Sequence, residues 1–88
     1  MDLTPILATQ LFLQQTLRHI ALNQLMAERD PIEASLDAAA MRIRVARNLA
    51  EDNPGSELHG AYAQKVEDFW FGIAEEVRMQ VSDSINTE

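Results

Sequence analysis

Two histidines, His19 and His59, and no cysteine are all that this 88-residue chain offers for imidazole or thiolate chemistry. A metal centre or a general base needs several polar groups converging on one point, and neither histidine has that company in the sequence. His19 shares the polar strip of its segment with Thr16 and Asn23, the setting of a solvated imidazole. His59 follows Glu57 at an expected helix start, which is a capping environment. No glutamate stands three residues before a histidine, the spacing that di-iron carboxylate bundles use. The chain has no glycine-rich phosphate loop, GxSxG elbow or Walker lysine. Ser35, Ser56, Ser82 and Ser84 have no base at a catalytic spacing, and Glu75 and Glu76 leave a helix in different directions. These residues point to a protein that is not an enzyme and carries no cofactor or metal.

Arginine is the remaining chemistry. The run RIRVARN sets Arg42, Arg44 and Arg47 within a short piece of helix after a helical corner, a pattern from which a dimeric DNA-binding regulator could be built. On a helix, Arg44 and Arg47 lie about 60° apart while Arg42 points away, and Glu33, Asp37 and Glu51 share the arginine-bearing side. Pairs such as Asp37 with the neighbourhood of Arg44, or Arg47 with Glu51, then make this a solvated face. The net charge of −7, from 14 acidic and 7 basic residues, also opposes nucleic acid and anionic membrane. Protein binding is the leading expectation and DNA binding the alternative.

These side chains must be positioned by helices. Thr4-Pro5 reads as a helix start, with the threonine hydroxyl as cap and proline in the first turn. Asp30-Pro31 repeats the device, with Glu33 placed to complete a capping box. The run Asp52-Asn53-Pro54-Gly55-Ser56 is a loop. The expectation is one all-α domain over 1–88 with helices at about 5–29, 31–52 and 57–81 and a frayed tail at 82–88. It forms a three-helix bundle, or an open helical hairpin plus a third helix, completed by dimerisation. The apolar first segment opens with Asp2 and is interrupted by Gln10, Gln14 and Gln15, so it reads as structure and not as a signal peptide or membrane anchor. The absence of cysteine fits a reducing compartment, and the cytoplasm is the expected location.

Projected at about 100° per residue, the first helix is apolar on two sides. Ile6, Leu13, Leu17 and Ile20 point one way, and Leu11, Leu22 and Met26 point well round from them. Gln10, Gln14 and Gln24 lie in or beside these stripes, where a buried amide can fix register. The second helix is also split. Ile32, Leu36, Ala39, Ile43, Ala46 and Ala50 make one stripe; Ala38, Met41, Val45 and Leu49 make the other. Such a small chain has little interior in which to bury both sides. A homodimer is therefore expected, with Leu11, Leu22, Met26, Met41, Val45 and Leu49 in its interface.

The third helix carries one broad stripe through Val66, Phe69, Trp70, Ile73 and Val77, yet Phe71 falls among its polar residues with Gly72 beside it and Met79 two turns later. Phe71, Gly72, Met79, Asp68 and Glu75 form the candidate site for an unidentified protein partner. Glu67, Asp68, Glu75 and Glu76 around the aromatic ring would supply steering charge, as in an inhibitor that occupies a basic groove.

Overall fold

The computed structural model describes residues 2–86, and among them the protein is three helices joined by two tight connections: α1 (Thr4–Met26), α2 (Pro31–Asp52) and α3 (Glu57–Asn86). No strand occurs among the described residues.

Each helix start is a local hydrogen-bond solution. Asp30 sits outside helical geometry and its carboxylate accepts from the Glu33 amide at 3.2 Å, with Pro31 in the first turn. Glu33 does not reach back, so only half of the expected capping box forms. At α1 the expected cap is corrected: the Asp2 carboxylate, not the Thr4 hydroxyl, accepts from the Thr4 amide at 2.9 Å. The Thr4 hydroxyl and amide beside Asp2 hold its carboxyl below the usual carboxylate range. Ser56 caps α3 reciprocally. Its hydroxyl accepts from the His59 amide at 3.3 Å and lies 2.7 Å from His59 Nδ1, so this histidine serves a helix end.

The helix ends differ from expectation at two points. α1 stops at Met26 and not near Arg29, because Asp30 precedes a proline and must leave the helical region to cap α2. The chain needs a turn first, and the Glu28 amide closes it on the Leu25 carbonyl at 3.0 Å. α3 runs on to Asn86, so residues 82–86 are helical and not frayed. No proline or glycine follows Gly72, and each added residue of an existing helix gains a backbone bond at low entropic cost. Residues 87 and 88 of the expected tail lie outside the described residues. Between α2 and α3, Asn53 caps the Leu49 carbonyl through its side-chain amide at 2.9 Å. Pro54 and Gly55, the latter at φ 85°, turn the chain so that the Ser56 amide meets the Asn53 carbonyl at 3.1 Å.

α2 and α3 form an antiparallel hairpin: Arg47 meets Glu67 near the loop, and Arg42 lies over Trp70 further along. Its interior is made of short side chains on α2, Ala39 and Ala46, against Ala63, Ile73 and Val77 on α3. Ser35 is buried too and returns its hydroxyl to the Ile32 carbonyl at 2.8 Å. Trp70 packs edge-on against Phe69 with ring centroids 5.3 Å apart.

α1 is attached lightly. None of its residues is buried. Its C-terminal turns, with Leu22, Leu25 and Met26, are half-buried, whereas Leu3 to Leu17 project as an arm with only Thr16 partly covered. The molecule measures 50 × 35 × 16 Å with a radius of gyration of 15.7 Å. A compact chain of this length has a radius near about 12 Å. The helices therefore lie open, a hairpin plus a third helix rather than a closed bundle.

Asp30→Ala removes the α2 cap and is expected to cost about 1 kcal/mol at fixed protein concentration. Val77→Ala is expected to cost about 2 kcal/mol, because its side chain is 0% exposed. Urea unfolding measures both. The lowered Asp2 pKa means that its cap contributes fully above about pH 4 and is lost as pH falls through the folded-state value. The Thr4 amide resonance should report that titration, and Asp2→Asn should abolish it.

Candidate functional site

The surface left open by this fold along α1 is rich in exposed apolar side chains, with Gln10, Gln14 and Gln15 among them. Leu7, Leu11, Leu13 and Leu17 are all more than half exposed, and Phe12 is 65% exposed. Over residues 3–17 this arm contains no charged side chain. The first charge is Arg18, which bonds Glu76 of α3 at 3.1 Å and ties the arm to the hairpin. A groove of about 420 Å³ runs beneath that tie, between Gln14 and Gln15 of α1 and Lys65, Asp68, Phe69 and Gly72 of α3.

The expected dimer-interface residues divide between two situations. Leu11, Met41, Val45 and Leu49 are exposed, Val45 at 63%. Leu22 and Met26 are already half-buried within the single chain. On α2 the stripe with Ala39 and Ala46 faces α3, while the second stripe is left outside. Met41 and Val45 border a shallow groove with Tyr62, Val66 and Trp70, floored by Ala46.

Phe71 is 55% exposed and stands on the opposite flank of α3 from the α1 groove. It borders a groove of about 520 Å³ with Leu36, Ala40 and Ile43 of α2. The Arg47–Glu67 ion pair, 2.8 Å long, bridges α2 and α3 at this groove. The five residues expected to form one partner site are thus spread across the back of α3. Phe71 faces the α2 side, Gly72 and Asp68 border the α1 groove, and Met79 and Glu75 lie exposed further along. Nothing lies within 4 Å of a methyl built on Gly72, so no backbone of this chain approaches it.

The acidic residues around Phe71 are engaged. Glu67 holds Arg47, Glu76 holds Arg18, and Asp68 accepts from Gln64 at 2.9 Å. Glu75 is paired with Arg78, whose guanidinium holds the Glu75 carboxyl below the usual range. The arginine expectation also changes. Arg47 pairs across the hairpin with Glu67 and not along its own helix with Glu51, and Arg42 stacks over Trp70 with 5.6 Å between guanidinium carbon and ring centre. Among the described residues Asp37 forms no ion pair with an arginine in the neighbourhood of Arg44. Sequence reasoning missed these partners because it counts spacing within a helix, whereas both contacts depend on the register between two helices.

His19 is exposed on α1, as its polar strip implied. Among the described residues there is no group of three side chains placed to hold a metal ion, and no helix is long and apolar enough to cross a membrane.

Gly72→Ala should raise stability by about 1 kcal/mol, since a helical alanine replaces glycine in open space. Thermal melts and light scattering of the same samples check this. A loss of association on that substitution would instead place a partner's backbone against Gly72. Comparison with known protein families, curated proteins and solved structures finds no match to this chain.

Proposed function

We propose that the protein acts without chemistry of its own, as a homodimeric binding module. α1 supplies the main self-contact, and the Phe71 flank of the hairpin is the site for a second protein. The observation that carries this reading is the unburied arm. The chain exposes 6915 Å². A compact monomer of its mass exposes about 5200 Å². The excess, about 1700 Å², lies within the roughly 1,000–2,500 Å² that each subunit of an obligate dimer contributes. Much of what the arm exposes is apolar, Leu3 to Leu17 among it, and contiguous apolar surface of this kind marks interaction sites, because water opposes its exposure.

A second copy suits this surface better than a charged partner does. Two chains of charge −7 repel each other unless their contact is made where charge is absent, and residues 3–17 meet that condition. The Phe71 groove has a different character, an aromatic side chain beside Leu36, Ala40 and Ile43, rimmed by Arg44, Arg47, Glu51 and Glu67. It suits a short amphipathic segment of another protein, whose apolar anchor would sit beside the ring and whose polar edge would meet the charged rim. The engagement of Arg42 with Trp70 and of Arg47 with Glu67 favours protein binding over duplex DNA.

Light scattering at micromolar concentration should return twice the chain mass, and a clean monomer would overturn the dimeric reading. Phe71→Ala should leave helicity and dimer mass unchanged, since its side chain lies outside both the hairpin interior and the arm. Salt-dependent retention on duplex DNA, lost on Arg44→Ala, would overturn the protein-binding assignment.

A further inference from the structure

We infer that the outward face of α1 is a coiled-coil seam that pairs in parallel and in register with α1 of a second copy, with Gln10 meeting its own counterpart. This inference rests on the dimeric reading above and states its geometry.

α1 turns one face toward its own hairpin, and that face cannot be the seam. Gln14, Gln15 and Arg18 border the α3 groove, and Leu22 and Met26 on the same side are half-buried. The opposite stripe is centred about 130° round the helix. If α1 closed fully on its own hairpin, that second stripe would still face water. Its spacing is a heptad repeat. Leu3, Gln10, Leu17 and Gln24 recur every seven residues, and Ile6, Leu13, Ile20 and Ala27 recur three residues after them. This is the alternation that brings two helices together knobs into holes. Leu3, Ile6, Leu13, Leu17 and Ile20 are each about half exposed or more in the single chain.

The flanking positions beside such a seam usually carry the charges that choose a partner. Within α1 they are Leu7, Gln14 and Ala21 on one side and Thr9, Thr16 and Asn23 on the other, none of them charged; charge flanks the repeat only beyond the helix ends, at Asp2 and Glu28. Along the helix, orientation is therefore left to the polar residues within the seam, Gln10 at its middle and Gln24 at its end. A glutamine amide buried against leucine loses its hydrogen bonds to water and gains none. In a parallel, in-register pair the two Gln10 amides face each other, and each can donate and accept. In the antiparallel pair Gln10 would face Leu13. The seam from Leu3 to Ile20 spans about 26 Å. Each copy contributes the same patch, as a twofold interface requires.

The chain lacks cysteine, so an introduced thiol reports a single contact. Leu13→Cys should oxidise to a disulfide-linked dimer on a non-reducing gel, while Ala8→Cys, on the side of the helix away from the seam, should remain monomeric. If light scattering gives a dimer but Leu13→Cys does not cross-link, the seam or its register is wrong and the dimeric reading survives. If a mixture of Gln10→Cys and Leu13→Cys chains links while Leu13→Cys alone does not, the pairing is antiparallel and the inference is overturned. A monomeric mass for the unmodified chain removes both readings. Gln10→Leu gives an independent measurement. The dimer should melt at higher temperature and populate more than one assembly, whereas an unchanged melt and mass would place Gln10 in solvent and overturn the inference.

Discussion

The approach of α2 to α3 is made by alanine on one side and by Ile73 and Val77 on the other, with Ala63 near the loop. Short side chains let two backbones come close, but each removes little area from water, so the hairpin gains specificity of fit more than depth of core. Only Ile73 and Val77 among its larger apolar side chains are wholly enclosed. A two-helix interior of that size has no third side into which a helix as apolar as α1 could fully sink. The open shape of the molecule follows from this shortage of shelter.

The electrostatic contacts act as ties on that frame. Arg47–Glu67 joins the two helices of the hairpin and Arg18–Glu76 joins α1 to α3, each between partly exposed side chains. Pairs of this kind contribute on the order of 0–1 kcal/mol, too little to hold an apolar arm against its own preference for burial. Arg42 adds a contact of another kind by lying over Trp70, which also covers part of an aromatic surface. Several charged groups of the hairpin are thus engaged within its own geometry, and residues 3–17 carry none. What remains for interaction is the apolar side chains along α1 and, at Phe71, a compact groove with a charged rim.

This separation of surfaces accounts for the odd position of Phe71. A ring on the polar side of α3 costs little when it shares a groove with Leu36 and Ile43 of α2, and the Arg47–Glu67 bridge lies at the same groove. Gly72 has no such company. It borders the α1 side, and its lack of a side chain serves no contact within the chain. The two neighbours in sequence therefore belong to different surfaces, since adjacent residues on a helix diverge by about 100°.

Local chemistry was legible from the residues alone. The breaks at Asp30-Pro31 and Asn53 to Ser56, the capping role beside His59 and the all-helical class each depend on interactions within a few positions of chain, which spacing reports directly. The two-sided character of α1 and α2 was legible as well, because it is a property of periodicity. The tertiary structure decided which stripe of each helix turns inward, that Leu22 and Met26 are partly used at home, and that Arg47 finds Glu67 and Arg42 finds Trp70. Those outcomes depend on the register and tilt of one helix against another. Many small packing terms set that register together, and no single residue's type or spacing encodes them.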